Sequence, residues 1–383
     1  MRAVRVALLS GNYNYLREGA NQALNRLVAY AERNGFKFRV YSPVTRTPAF
    51  EPAGDLVAVP SIPLPGRTEF RLAPGLPRAV RDDVRMFAPD LIHLSTPDIL
   101  GTRAQTFARH LGVPVVASLH TRFETYFDFY GLGWARPPAE AHLRRFYRRS
   151  DHVLAPTPAM VAELKRLRGD EAVSLWSRGV DRDLFNPRRR DLEWRRAQGF
   201  ADEDVVLLFF GRLVLEKGVR DFVAVAQRLR ALGVEVKPLV VGAGPAQDAF
   251  DALEDAILTG HLEGPDLARA IASADILIHP SRTEAFGNVM LEAMASGLAV
   301  VASATQSAEA LIAHGRSGLL CPPEDIDCFV AEVARLAGDA RARSALGEAA
   351  RTASAAFRWD DAAESVLRAY RSLVRISARQ APA

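Results

Sequence analysis

The chain has 383 residues, 49% apolar and 25% charged, with a net charge of +4. At roughly 100–200 residues per domain this length predicts two globular domains, and the composition excludes a disordered chain. No apolar run reaches the ~18 residues of a membrane span, and two cysteines, Cys321 and Cys328, argue against a disulfide framework and a zinc site.

The amino terminus reads as a strand, Val4–Leu9, rather than a signal peptide, because its short apolar run alternates with Arg. A reducing cytosol is the expected compartment. Further strands are predicted at Phe38–Tyr41, Leu91–Leu94, Val115–Leu119, His152–Ala155 and Val173–Trp176. Helical patterns lie between them, as at Gly19–Asn34, Leu100–Leu111 and Pro158–Leu167. The second half repeats the rhythm with strands at Val205–Phe210, Val236–Val241, Ile257–Thr259, Ile276–His279 and Val300–Ala302. Short Val/Ile/Leu runs separated by helices predict parallel sheets covered on both faces, one doubly wound α/β sheet per half. The boundary is expected near residues 181–200. The Pro/Gly-rich stretch 60–77 is read as an irregular excursion, Phe357–Arg371 as an amphipathic helix, and residues 377–383 as disordered.

Charge is uneven. Residues 1–185 carry 26 Lys and Arg against 18 Asp and Glu, a net +8; the remainder carries −4. Arg144, Arg145, Arg148 and Arg149 form one basic helical face, with Phe146 and Tyr147 turned away, and Arg78, Arg81 and Arg85 form another. Such faces suit an anionic membrane surface or are simply solvated. No nucleic-acid motif accompanies them.

In open α/β sheets ligands bind beyond the carboxyl ends of strands, so those loops are where chemistry is sought. The first, Ser10–Asn21, runs to a helix start at Gly19 and lacks G-x-G-x-x-G, which argues against NAD. His120 ends a strand and reads either as a partner for a sugar or acceptor hydroxyl or as a packed loop His. Glu124, Tyr126, Asp128 and Tyr130 follow in a polar-aromatic loop that suits an acceptor. In Gly211–Gly218, Arg212 and Lys217 bracket the turn into a helix, where two cations can neutralise a diphosphate without a metal. Gly242 and Gly244 permit close approach of a ligand or form a tight turn. Asp181-Arg-Asp183 matches a metal-binding spacing but is better explained as a turn. In Ser281–Gly297, Glu284 and Glu292 flank a helix start at Phe286, Gly287 and Asn288. Free N–H groups and the helix dipole make that start an anion site, and the carboxylates suit sugar hydroxyls.

Gly211-Arg-Leu-x-x-Glu-Lys-Gly218, Val241-Gly-x-Gly-Pro245, Glu284-Ala-Phe-Gly-Asn-Val-x-Leu-Glu292, Gly315-x-x-Gly-Leu-Leu320 and His120 together resemble glycosyltransferase family 4 along essentially the whole chain. The resemblance implies a retaining, metal-independent enzyme of the GT-B fold, two Rossmann-like domains facing each other across a cleft. The domains are expected at 1–182 (acceptor) and 183–356 (sugar nucleotide), with a helix at 357–376 crossing back to the first. It implies that Arg212 and Lys217 bind the donor diphosphate and Glu284 the donor sugar. Phe286, Gly287 and Asn288 supply backbone contacts, Glu292 binds the ribose, Gly19 lies near the diphosphate and His120 near the transferring sugar; Gly242 belongs to the same donor set. No carboxylate is evidently a nucleophile, so front-face attack is expected. His120–Tyr126 looks like members that glycosylate membrane lipids such as diacylglycerol or phosphatidylinositol, which would put the protein at the inner face of the cytoplasmic membrane. The longer Tyr/Asn-rich loop before Gly19 departs from many relatives. The expected co-substrate is a UDP- or GDP-sugar, with no other cofactor. Competing readings are a transferase for a polysaccharide or soluble acceptor, a sugar-nucleotide epimerase, a phosphorylase, and a non-catalytic sugar-nucleotide-binding subunit.

Overall fold

A computed structural model describes residues 2–64 and 67–380 of the chain. The side chains of Arg67, Thr68, Phe123, Tyr126, Asp128 and residues 378–380 lie outside that description, as do Pro65 and Gly66 of the predicted excursion. Two compact units result. The first comprises residues up to Glu124, Leu132–Arg178 and the chain from Trp359 on; the second comprises Thr125–Gly131 and Gly179–Arg358.

The first unit contains β1 (Val4–Leu9), β2 (Phe36–Ser42), β3 (Asp55–Ala58), β4 (Ile62–Leu64), β5 (Arg67–Leu72), β6 (Leu91–Leu94), β7 (Val115–Ser118), β8 (His152–Ala155) and β9 (Val173–Leu175). Seven of these form one parallel sheet in the order β3-β2-β1-β6-β7-β8-β9. β4 and β5 pair antiparallel, so part of the stretch expected to be irregular is a hairpin. Its prolines hid it: Pro removes a ladder donor and argues against a strand except at an edge.

The first sheet is covered by helices whose apolar residues recur every three or four positions. Gly19–Arg33 buries Ala23, Leu24, Leu27, Val28 and Ala31. The last helix, Trp359–Gln380, adds Ala362, Ala363, Val366, Leu367 and Tyr370 to the same core. It runs through residues 377–380, where disorder was expected, since Ala, Arg and Gln there favour helix. Residues 381–383 lie outside the described residues.

The second unit contains β10 (Val206–Phe210), β11 (Lys237–Val241), β12 (Ile257–Gly260), β13 (Ile276–His279), β14 (Ala299–Ser303) and β15 (Leu319–Cys321). They form a parallel sheet in the order β12-β11-β10-β13-β14-β15. Relative to sequence this is 3-2-1-4-5-6, the doubly wound order, whose switch point falls between β10 and β13. There Leu207 pairs with Ile276 and Leu208 with Leu277. Successive side chains of a strand face opposite sides. Thus Leu208 and Phe210 enter one core while Leu207 and Phe209 enter the other.

Residues 181–200, expected as a boundary, are built into the second unit. Arg195 is fully buried and donates to Asp275 (3.1 Å) and to the carbonyls of Ser273 and Asp204. Asp181 accepts from the backbone of Asp183 and Leu184, an Asx turn that accounts for the Asp-x-Asp spacing. Among the described residues no helix is long and apolar enough to cross a membrane.

Candidate functional site

The loops after β10 and β13 rise on either side of the second sheet's switch point. After β10 the chain passes through Gly211–Val214, a single 3-10 turn (Leu215–Lys217) and Gly218, then enters the helix Val219–Ala231. Gly218 has φ +74°, and a Cβ there would sit 3.0 Å from the Pro280 carbonyl carbon. This glycine therefore lets the β10 loop pack on the β13 loop.

Across that contact Lys217 Nζ donates to Glu284 Oε1. His279, the last residue of β13, places Nε2 3.5 Å from the same oxygen. Glu284 is 14% exposed and Lys217 23%. Burial alone would raise the Glu284 pKa. The Lys217 ammonium and the His279 ring outweigh it and hold the carboxyl well below the usual carboxylate range. Glu284 is an anion at any physiological pH.

Glu216 was not singled out from the sequence and lies at the centre of the same loop, 1% exposed. It accepts from Tyr130 Oη (2.9 Å) and lies 3.7 Å from Arg212 Nη2. Its carbonyl accepts from Ser281 Oγ and Thr283 Oγ1, which joins the two loops a second time. Its position between Arg212 and Lys217 was the available signal. Arg212 is 38% exposed.

The helix Asn288–Ala295 begins one residue after Gly287, whose φ of +95° ends the β13 loop. Gly287 gives the first N–H groups of the helix no side-chain cap. Glu292 stands on its second turn, half-buried. Asn288 Oδ1 is buried without a hydrogen-bond partner among the described residues. The Phe286 ring belongs to the core, 5% exposed and edge-on to Phe357 at 6.0 Å.

Gly242 follows β11 with φ +148°, and a Cβ on it would fall 1.9 Å from the Gly211 carbonyl oxygen. Its lack of a side chain is thus required by the neighbouring strand end. Arg212, Lys217, Glu284, Phe286, Gly287, Asn288, Glu292 and Gly242 all lie on carboxyl-end loops of one sheet or on the helix that follows.

Gly19 and His120 lie in the first unit. Gly19 opens the helix after β1, with Glu18 in extended conformation before it and no side-chain cap. The long Tyr/Asn-rich loop before it is anchored within its own unit: Tyr13 Oη donates to Ala53 O and Asn14 Nδ2 to Phe50 O. His120 follows β7, and Arg178 donates to its Nδ1 (2.8 Å). The segment after it, expected as a loop, is a 3-10 turn (Phe123–Thr125) and one helical turn (Tyr126–Phe129), with Glu124 buried against Arg122. The side chains of Tyr126 and Asp128 lie outside the described residues. Tyr130 is 47% exposed. Among the described residues no three His, Cys, Asp or Glu side chains are grouped as metal ligands.

Two doubly wound parallel sheets in one chain define the GT-B architecture. Residues 17–184 match the family model described as Glycosyltransferase Family 4, and 204–339 match that of Glycosyl transferases group 1. The GDP-mannose-dependent alpha-mannosyltransferase of Mycolicibacterium smegmatis is 32% identical over 380 residues, 97% of this chain and 98% of that protein. The sulfoquinovosyl transferase SQD2 of Arabidopsis thaliana is 32% identical over 308 residues, 78% of this chain but 60% of that protein's length. The structure of a sucrose-phosphate synthase from Thermosynechococcus elongatus superposes with a TM-score of 0.79 at 20% identity, covering 97% of this chain and 100% of that one. The chain belongs to glycosyltransferase family 4.

Proposed function

We propose that this protein transfers a hexosyl group, with retention of configuration, from a UDP- or GDP-sugar to the hydroxyl of a membrane lipid or glycolipid. The observation that carries the reading is the Lys217–Glu284 pair at the switch point. It sets a cation able to bind a diphosphate beside a carboxylate suited to sugar hydroxyls, ahead of a helix whose first turn has no side-chain cap. Arg212 and Lys217 take the diphosphate, Glu284 the sugar, and Glu292 the ribose; Gly19 and His120 keep the roles that the family resemblance implies, near a diphosphate and a transferring sugar. On donor binding a phosphate oxygen replaces Glu284 on Lys217, and Glu284 accepts from sugar hydroxyls instead.

The anomeric C–O bond to the diphosphate then breaks while the acceptor oxygen bonds to the same face. The acceptor proton passes to the departing phosphate oxygen, whose growing charge Arg212 and Lys217 stabilise. The reading needs no metal ion and no covalent intermediate. A relative whose name is GDP-mannose-dependent alpha-mannosyltransferase supports a nucleotide-sugar donor, and that name and sulfoquinovosyl transferase both support transfer of a glycosyl group.

A lipid acceptor is supported by surface chemistry. Trp134 is 78% exposed and Leu132 43%, immediately before the helix Arg136–Arg148, on which Arg144, Arg145 and Arg148 are exposed. Exposed aromatic and basic residues together suit an anionic lipid surface. The test is incubation with a panel of UDP- and GDP-sugars and a total lipid extract, with mass analysis of the products. A glycosylated lipid is expected; absence of any glycosylated product across the panel overturns the reading.

A further inference from the structure

The carboxyl edge of the first sheet holds a buried polar cluster of which the transfer reading uses His120 alone. Arg178, three residues beyond β9, is 4% exposed. Its Nη1 donates to the carbonyls of Trp176 (2.8 Å) and Ser177 (3.1 Å), and its Nη2 to His120 Nδ1 (2.8 Å). The guanidinium lies over the Trp176 ring, 4.9 Å from its centroid. The same ring meets His120 edge-on at 5.1 Å and 74°. Among the described residues no carboxylate pairs with Arg178, so the cation is spent on two carbonyls and one imidazole.

A guanidinium only donates, so His120 Nδ1 must present its lone pair. A neutral imidazole has a single proton, which is then on Nε2. Protonating Nδ1 would set an N–H against the guanidinium. Burial first, then the nearby Arg178 charge and His93, keep the His120 pKa well below its ordinary value. His93 is itself held neutral: it is fully buried between Ser118 Oγ and Tyr370 Oη, both at 2.6 Å, and burial pushes its pKa down to about 3. His120 Nε2 itself is buried and has no partner among the described residues. An unsatisfied buried N–H is costly and calls for an acceptor.

We propose that Arg178 is a positioning residue that locks His120 in the neutral, Nε2-protonated tautomer, making His120 a hydrogen-bond donor to a bound sugar oxygen and not the base that takes the acceptor proton. The identity of that oxygen rests on the transfer reading above; the tautomer does not. Arg178 thereby acts on specificity and orientation without touching the reacting atoms.

The test is nitrogen-15 NMR of the full-length protein labelled at histidine, without substrate, with His120 assigned from the His120→Gln variant. The wild-type ring is expected as the Nε2–H tautomer, without titration between pH 5.5 and 8. Arg178→Met should release it, giving mixed tautomers or a titrating ring, and Arg178→Lys should preserve it. In transfer assays Arg178→Met should lower kcat about 10- to 100-fold with KM for the nucleotide sugar unchanged. His120→Gln, whose amide N–H reaches toward the Nε2 position, should retain more activity than His120→Asn. A wild-type Nδ1–H or imidazolium ring overturns the proposal, as does an unchanged tautomer in Arg178→Met. Should Arg178→Met not fold, the wild-type spectrum decides alone. Transfer with the wrong tautomer removes this proposal and spares the transfer reading; the right tautomer without transfer does the reverse.

Discussion

Lys217 donates to Glu284 from a different strand's loop, 67 positions away in sequence, and the contact spans the switch point of the second sheet. The pair is a resting arrangement in which the candidate phosphate ligand is held by the candidate sugar ligand. That competition has a measurable consequence. Glu284→Ala should lower transfer by about 1,000-fold, roughly 4 kcal/mol of lost transition-state stabilisation. It should also tighten binding of the bare nucleoside diphosphate, because Lys217 is released. Calorimetric titration with UDP and GDP checks this; weaker binding of both in the variant refutes the exchange of Lys217 between the two anions.

How much of this site was legible in the sequence depends on what each residue needed. Arg212, Lys217 and Glu284 follow the apolar runs Val206–Phe210 and Ile276–His279, and such near-continuous runs are legible as buried parallel strands. Glu216 stands in the Gly211–Gly218 motif, but no role could be read for it because its burial does not show in the sequence. Arg178 was invisible for another reason. Its meeting with His120 depends on β8 separating β7 from β9, a register no local pattern carries. β3 and β15, of four and three residues, gave too few apolar positions to show a period.

The pH dependence follows from the same pair. The folded-state pKa of Glu284 is depressed, so its ion pair adds stability that is complete above the ordinary value of 4.5 and is lost as pH falls below it. Comparing urea midpoints of wild type and Glu284→Gln should therefore show a gap at pH 7 that narrows by pH 3.5. A gap that widens toward acid contradicts the assignment. Between pH 5 and 8 Glu284 should contribute no titration to the transfer rate.

Gly242 separates a packing role from a ligand role. A Cβ there meets the Gly211 carbonyl oxygen, and φ is +148°. Gly242→Ala should cost about 2 kcal/mol or more through strain and forced displacement. Thermal unfolding without ligand is the measurement. An unchanged Tm paired with weaker nucleotide binding would instead make Gly242 a residue of the ligand site alone.

Trp134 and the arginines after it make the membrane reading testable apart from catalysis. Each basic residue near an anionic surface contributes about 1 kcal/mol. The double variant Arg144→Glu, Arg145→Glu should weaken co-sedimentation with phosphatidylserine-containing vesicles by about 30-fold or more, and Trp134→Ser should weaken it further at high salt, where the charge contribution is screened. Equal binding of wild type and variants, or none to anionic vesicles, removes this surface from the reading.

Asp275 tests whether residues 190–206 are part of the second unit's core. The two carboxylate oxygens of this residue take Arg190 (2.9 Å), Arg195 (3.1 Å) and the backbone N–H of Val206 at the start of β10 (2.8 Å). Arg195 is fully buried, so removing its only carboxylate partner among the described residues leaves an uncompensated interior charge. Asp275→Ala should destabilise by about 3–5 kcal/mol. Asp275→Asn keeps an acceptor and should cost less. The double variant Asp275→Ala, Arg195→Met removes the charge as well as its partner and should recover part of the loss, although the carbonyls of Ser273 and Asp204 then lose their donor. Because Asp275 immediately precedes β13 and Glu284 follows its end, the comparison also bears on the site: variants that remain folded should keep the wild-type KM for the nucleotide sugar, and a raised KM at full folding would mean that the Arg195 anchor sets the position of the β13 loop.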